Sequence, residues 1–142
     1  MSWNETQVTV VGNIVSDVTH KHTADGVGLV NFRVGATERR FDRESRQWVD
    51  GDKLFFGVTC WRKLADGVAT SLSKGDPVIV QGRLRTRNFE SEGQRRSVVE
   101  IDAVAVGPDL NRCFAHPQRN RLAAEIVVPR TDEDRETADV PC

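Results

Sequence analysis

The sequence lacks paired cysteines, long apolar runs and an excess of charge of one sign, and each absence excludes a class of protein. Its three cysteines, Cys60, Cys113 and Cys142, are widely spaced and form no CxxC or CxxH pair, so neither a zinc site nor a disulfide framework is expected. No apolar run approaches the roughly 18 residues that a membrane-spanning helix needs. The first ten residues show no basic segment followed by an apolar stretch, so we expect no secretory signal, reduced thiols and a cytoplasmic location.

The formal net charge is only −1, from 20 Lys and Arg against 21 Asp and Glu, and this total argues against a nucleic-acid binder. The charge is unevenly distributed, however. Residues 1–107 hold 15 basic and 14 acidic side chains, whereas the last twelve residues hold five acids and one arginine. Four of the five prolines lie at position 108 or beyond. We therefore predict a folded domain over residues 1–108 and a short C-terminal extension over residues 109–142 with an acidic, disordered end.

Five segments alternate apolar and polar side chains, which is the pattern of β-strands. They centre on residues 8–10, 30–34, 56–60, 78–84 and 99–103. Between the third and fourth segments, Leu64, Val68 and Leu72 recur every four residues, and Gly75-Asp76-Pro77 follows. This spacing predicts one short amphipathic helix over residues 62–74. Asp25-Gly26 and Asp50-Gly51 predict turns between strands.

The order of these elements indicates an all-β fold. About one hundred residues with three strands, one helix and two more strands are typical of a five-stranded OB-fold barrel with one short helix between strands 3 and 4. Gly12, Gly35 and Gly82 lie within or at the ends of the strands, where a small barrel bends sharply. A β-sandwich is the alternative, but it accounts less well for the single helix.

Strand alternation places aromatic and basic side chains together on the outer face of the sheet. The outward side chains are Phe55, Thr59 and Trp61 on the third strand, Arg83, Arg85, Arg87 and Phe89 on the fourth, and Arg33 on the second. Guanidinium groups neutralise phosphates, and exposed rings stack on unpaired bases. The combination predicts a surface for single-stranded nucleic acid. For each side chain alone, a solvated strand face or a subunit contact stays an open alternative.

Four segments resemble the bacterial single-stranded-DNA-binding protein (SSB) family. They are VVGNI at residues 10–14, VNFRVGATE at 30–38, CWRKLA at 60–65 and LSKGDPVIVQGRLRTR at 72–87. The last segment is the most specific, because a helix end, a strand and an Arg-x-Arg-Thr-Arg run occur in it together. The resemblance covers about residues 4–108. It implies an OB domain that assembles as a homotetramer with DNA wrapped around it.

The resemblance also implies site residues. By motif position, the stacking aromatics of the family fall on Phe41, Phe55, Trp61 and Phe89, and its basic positions fall on Lys63, Lys74, Arg85 and Arg87. Many family members have Trp where this chain has Phe, so we expect weaker stacking here. Phe56 stands where the family often has a His near a subunit contact.

The end of the chain departs from the pattern of the family. Family members usually end in a long linker and an acidic run closing with Asp-Ile-Pro-Phe, whereas this chain ends Asp139-Val140-Pro141-Cys142. The acidic tail is a candidate docking site for replication and repair proteins, and a solvated terminus is the alternative. Residues 122–128 (LAAEIVV) are apolar enough for an extra strand or an interface segment. The short, altered tail indicates a specialised paralogue.

The main hypothesis is a non-catalytic protein that binds single-stranded DNA without sequence preference. It would coat exposed strands in DNA replication, repair or recombination, in the cytoplasm at the nucleoid. Its predicted stacking residues are Phe41, Phe55, Trp61 and Phe89, and its predicted phosphate contacts are Arg33, Lys63, Lys74, Arg83, Arg85 and Arg87. Trp48 is a candidate for a further contact. No cofactor or metal is expected, because His20 and His22 have no third ligand nearby in the sequence.

Two other functions stay open from the sequence. One is an OB-fold oligomeric interaction or scaffold protein with weakened DNA binding, which is favoured by Phe at three of the four aromatic positions. The other is a metal-dependent nuclease. The nuclease ranks below both binding functions, because the acidic residues of the domain are scattered and no motif clusters them.

Overall fold

The structure of this chain is a computed structural model that describes residues 3–119. Its elements are β1 (Thr6–Ile14), β2 (Thr19–His22), β3 (Gly28–Asp42), β4 (Gln47–Trp61), α1 (Arg62–Ser71), β5 (Pro77–Ser91) and β6 (Gln94–Pro108). No helix within the described range is long and apolar enough to cross a membrane.

Five of the strands close into a ring of paired neighbours. The order is β1-β5-β6-β4-β3, and β3 pairs again with β1. The ring closes because β1 changes partner along its length: residues 6–13 pair with β5, and residues 13–14 pair with β3. β4 and β6 run parallel where residues 57–59 meet residues 100–102, and the other pairings are antiparallel. The predicted OB fold is confirmed, and ring closure excludes the β-sandwich alternative.

The core lies inside this ring and is built by the predicted alternation. The buried apolar side chains are Val10, Ile14, Val30, Phe32, Val34, Val58, Cys60, Ala65, Val68, Val78, Val80 and Ile101. Because successive side chains of a strand point to opposite faces, every strand that contributes to this core also presents a set of side chains outward. Those outward sets form the surface on which the candidate site lies.

Two glycines allow the backbones to approach closely where the ring bends. A Cβ on Gly12 would overlap the carbonyl group of Gly35, at the point where β1 passes from β5 to β3. A Cβ on Gly82 would overlap the carbonyl group of Asp102, beside the irregularity in the β5–β6 ladder. At these two of the predicted bend positions, glycine is required because a Cβ would overlap the neighbouring backbone.

The helix closes one end of the ring. It begins directly after the last residue of β4, and Ala65 and Val68 are buried against the core. It ends at Ser71, three residues earlier than predicted, because Leu72 is already extended. The Asp76 carboxylate accepts a hydrogen bond from the backbone N–H of Ser73 at 2.9 Å, which forms a separate turn before β5.

Two long hairpins extend from the ring as arms. The β3–β4 and β5–β6 hairpins consist of 15-residue strands. Among the described residues, the outer halves of these strands pair only within each hairpin. The predicted turn at Asp50-Gly51 is wrong, because both residues lie inside β4, where the register with β3 shifts near Glu38. The turn itself lies at residues 43–46, and Arg46 adopts a left-handed backbone with φ of 55°.

Strand β2 was not predicted from the sequence. Its four residues, THKH, are all exposed and have no apolar alternation, so the period-two signal is absent. The strand exists because its backbone pairs with residues 28–31 of β3.

The first residues after β6 pack back onto β1. Asp109 is buried, and its carboxylate Oδ2 lies 3.2 Å from Nε of Arg112. The same guanidinium donates a hydrogen bond from Nη2 to the carbonyl oxygen of Gly12 at 2.7 Å. The predicted acidic end, including Asp139-Val140-Pro141-Cys142 and the apolar segment 122–128, lies outside the described residues.

Candidate nucleic-acid interface

A groove of about 860 Å³ crosses the outer face of the ring. It gathers five of the ten site residues predicted from the sequence: Arg33, Phe55, Trp61, Arg85 and Arg87. These residues come from three strands, β3, β4 and β5, and the pairing of β4 with β6 brings them to one face. The groove therefore forms from alternation within each strand and from ring closure between strands.

An arginine and a phenylalanine are paired at one side of the groove. The Arg33 guanidinium carbon lies 5.9 Å from the centre of the Phe55 ring, within the range of a cation–π interaction. The contact arises because residues 33 and 55 project from adjacent strands to the same face. It offers a planar ring and a positive charge within the span of one nucleotide.

Trp61 lies at the junction of β4 and α1, where it is the last residue of the strand. Its side chain is exposed as predicted and lines the groove. Thr59, also predicted to face outward, lies on the same face but is buried, and its hydroxyl donates a hydrogen bond to Asn31 Oδ1 at 3.0 Å. Thr59 therefore forms part of the floor of the groove.

The arginines of β5 are paired with two carboxylates of β6. Nη2 of Arg83 lies 2.7 Å from Oδ2 of Asp102, and Nε of Arg87 lies 2.7 Å from Oε1 of Glu100. Arg85 lies between them, with Nε 3.2 Å from Asp102 Oδ1 and Nη2 3.6 Å from Glu100 Oε2. We name these five residues the arginine–carboxylate ladder. Hydrogen bonding to Asp102, and then its negative charge, raise the pKa of Arg83 above its ordinary value.

Two predicted aromatics lie away from the groove, on the arms. Phe89 is partly buried on the β5–β6 arm, and the Arg87 guanidinium carbon lies 5.1 Å from its ring centre. Phe41 lies near the end of β3. It faces Trp48 of β4 across the other arm. Both residues of this pair are exposed.

The remaining predicted basic residues lie outside the groove. Lys63 is exposed on the first turn of α1, and Lys74 is exposed in the turn before β5. Arg83 is half-buried and held by Asp102. The structure thus brings five predicted residues together and leaves Phe41, Phe89, Lys63, Lys74 and Arg83 elsewhere on the surface.

Three residues of this surface were not predicted from the sequence. Glu100 and Asp102 alternate with Ile101, so their outward direction could have been inferred from parity. Their pairing with the arginines depends on the β5–β6 register, in which Arg83 faces Asp102 and Arg85 faces Glu100. Lys21 of β2 also lines the groove, and no apolar pattern marked its strand.

Comparison with known families identifies the family of the chain that carries this surface. The model of the "Single-strand binding protein family" matches residues 5–109. The chain belongs to this family. The match contains all six strands and the helix.

Relatives in this family share extensive sequence with the chain. A "Single-stranded DNA-binding protein" of Corynebacterium glutamicum is 48% identical over 120 residues, which cover 84% of this chain and 53% of that protein. A protein of the same name from Mycolicibacterium smegmatis is 46% identical over 112 residues, covering 78% of this chain and 68% of the relative. The chain therefore matches about half the length of the Corynebacterium relative.

A solved structure in the family has a similar fold. The crystal structure of a small single-stranded DNA-binding protein from Streptomyces coelicolor superimposes with a TM-score of 0.70 at 44% identity. The match covers 78% of this chain and 99% of the other chain. The fold predicted from the sequence is therefore shared with a family structure as well as with the family model.

Proposed function

We propose that this chain binds single-stranded DNA and has no catalytic activity. The observation that carries the proposal is the groove in which the Arg33–Phe55 pair lies beside Trp61, Arg85 and Arg87. The family relatives named for single-stranded DNA binding support it. The groove would hold both parts of a nucleotide, since rings accept the base and guanidinium groups accept the phosphate.

The proposed roles follow from position. Phe55 and Trp61 stack on bases in the groove, and Phe41 and Phe89 extend the stacking along the two arms. Arg33, Arg85 and Arg87 contact phosphates in the groove, while Lys63, Lys74 and Arg83 are proposed as contacts on the path around it. Duplex DNA would lose the stacking contribution, because its base faces are covered by neighbouring base pairs. No cofactor is needed for this binding.

The wider role is also proposed. The chain would coat exposed strands in replication, repair or recombination, in the cytoplasm at the nucleoid and as a homotetramer. Docking of other proteins through the acidic tail stays a prediction, since that tail lies outside the described residues. The alternative of a scaffold with weakened DNA binding is not favoured, because the relatives are named for single-stranded DNA binding. Light scattering on a sizing column would measure the oligomeric state.

The experiment that tests the binding uses Trp61 as the reporter. Replacing Trp3 and Trp48 by Phe leaves Trp61 as the one tryptophan of the chain. Titration with oligo-dT should quench its fluorescence, because a stacked base contacts the indole ring. A duplex of the same length is the matched control and should quench far less. Absence of both quenching and gel retardation at low salt would contradict the proposed function.

A further inference from the structure

The arginine–carboxylate ladder carries much less charge than its arginines alone. Three guanidinium groups face two carboxylates, so the ladder has a net charge of +1. The side chains of Glu100 and Asp102 are only 13% and 21% exposed, whereas those of Arg85 and Arg87 are 38% and 52% exposed. The carboxylates are therefore more deeply buried than the arginines that they neutralise. The side chains of Arg85 and Arg87 line the groove, and so does Glu100, whereas Arg83 and Asp102 lie outside it.

Arg85 is the least firmly held member of the ladder. Nε of Arg85 and Oδ1 of Asp102 are both buried, yet within residues 3–119 neither has a hydrogen-bond partner. Their separation of 3.2 Å is short enough for attraction, but the alignment does not meet that of a hydrogen bond. In contrast, Arg83 and Arg87 each donate a hydrogen bond of 2.7 Å to a carboxylate. Among the described residues, Arg85 therefore makes no hydrogen bond within the ladder that a phosphate would have to replace.

We propose that Glu100 and Asp102 are internal counterions that compete with DNA phosphates for Arg85 and Arg87 and thereby limit the affinity of the groove. This inference rests on the proposed function of the same groove. In the free protein the two carboxylates form ion pairs with the arginines. When a strand enters, phosphates take over some of the guanidinium N–H groups. The two carboxylates remain in place, and their negative charges repel the bound phosphates.

The competition has a consequence for salt dependence. A protein that neutralises phosphates releases their condensed cations, and the salt dependence of its affinity measures how many phosphates it neutralises. A ladder with a net charge of +1 neutralises fewer phosphates than three free arginines would. The groove would therefore bind through stacking more than through charge, and its affinity would fall less steeply with salt.

The test compares Glu100→Gln with Glu90→Gln in the full chain. Glutamine keeps an oxygen that can accept the hydrogen bond from Arg87, so the fold is expected to persist, and thermal unfolding checks this. Glu90 is exposed on β5, and strand alternation points it to the face opposite Arg87 and Phe89. Its replacement therefore removes one negative charge outside the ladder. Kd for oligo-dT is measured over a range of salt concentrations for each protein. Asp102→Asn is the second variant of the ladder.

Glu100→Gln should bind oligo-dT about threefold more tightly at low salt, the scale of one partly exposed ion pair. Its log–log salt dependence should steepen by about 0.7, the equivalent of one further phosphate contact. Glu90→Gln should match the wild type in both measurements. Unchanged or weaker binding by folded Glu100→Gln and Asp102→Asn would overturn the inference, although wild-type binding would still support the proposed function. No binding by the wild type would overturn the proposed function itself.

Discussion

Phe41 and Trp48 face each other across the β3–β4 arm, with ring centres 5.6 Å apart and ring planes at 64°. This edge-to-face contact holds two large exposed rings in place near the end of the arm, where no other strand of residues 3–119 pairs with it. The arm therefore presents an aromatic platform separate from the groove.

The first prediction concerns this platform. In a chain with Trp3 and Trp61 replaced by Phe, Trp48 should be quenched by oligo-dT, because the strand would continue from the groove onto the arm. Phe41→Ala should weaken binding by about 1–3 kcal/mol, the contribution of one stacked base. It should lower the free energy of unfolding by only about 0.5–1 kcal/mol, the scale of one cross-strand pair. Unchanged Trp48 fluorescence would restrict the binding path to the groove.

The second prediction separates stacking from general apolar exposure. Phe55 and Leu54 are adjacent in β4 and are 52% and 54% exposed, but they project to opposite faces. Phe55→Ala should weaken oligo-dT binding by about 1–3 kcal/mol. Leu54→Ala should leave binding unchanged, because its side chain is outside the groove. Equal effects of the two substitutions, measured by fluorescence titration, would assign Phe55 to packing or assembly.

The third prediction concerns the charge of Arg85. Arg85→Ala should flatten the log–log salt dependence of oligo-dT binding by about 0.7, because one phosphate contact is lost. Arg119→Ala removes the same charge from an exposed position outside the groove. That variant should keep the wild-type slope. If both slopes were equal to that of the wild type, Arg85 would not contact a phosphate.

The fourth prediction concerns the packing of Arg112 on β1. Arg112→Ala removes the ion-pair partner of the Asp109 carboxylate, whose side chain is only 7% exposed, and the donor to the Gly12 carbonyl group. Leaving buried acceptors without these partners should lower the free energy of unfolding by about 1–3 kcal/mol. Urea unfolding measures the loss. Asp109→Asn should lower the free energy of unfolding less in the Arg112→Ala background than in the wild type. Additive losses from the two substitutions would contradict an interaction between Asp109 and Arg112.

The fifth prediction concerns the buried thiol of Cys60. Burial raises its pKa from 9.0 to about 12, so the folded protein keeps the thiol neutral at a pH where the unfolded chain ionises it. The neutral thiol therefore makes its full contribution to the free energy of unfolding below about pH 9, and this contribution is lost as the pH rises towards 12. The urea midpoint should fall less between about pH 7 and pH 10 in Cys60→Ala than in the wild type. Val58→Ala, which removes a buried neighbour but keeps the thiol, should retain the wild-type pH dependence.

The sequence by itself determined which side chains face inward and which face outward. Alternation along a strand is a local property, so Val58 and Cys60 could be assigned to the core, and Phe55 and Trp61 to the surface, without any knowledge of strand partners. The helix was also recognisable, because its apolar spacing is local. Its end was misplaced by three residues because the turn around Asp76 competes with the last helical turn.

Only the tertiary structure decided which outward side chains meet. The Arg33–Phe55 contact needs the β3–β4 register, and the pairing of Arg85 with Glu100 needs the β5–β6 register. Register depends on hydrogen bonds between segments far apart in the chain, which no local pattern contains. For the same reason Asp50-Gly51 was predicted as a turn, although pairing with β3 keeps it within a strand. The sequence thus indicated a row of arginines, whereas the fold decided that carboxylates neutralise most of its charge.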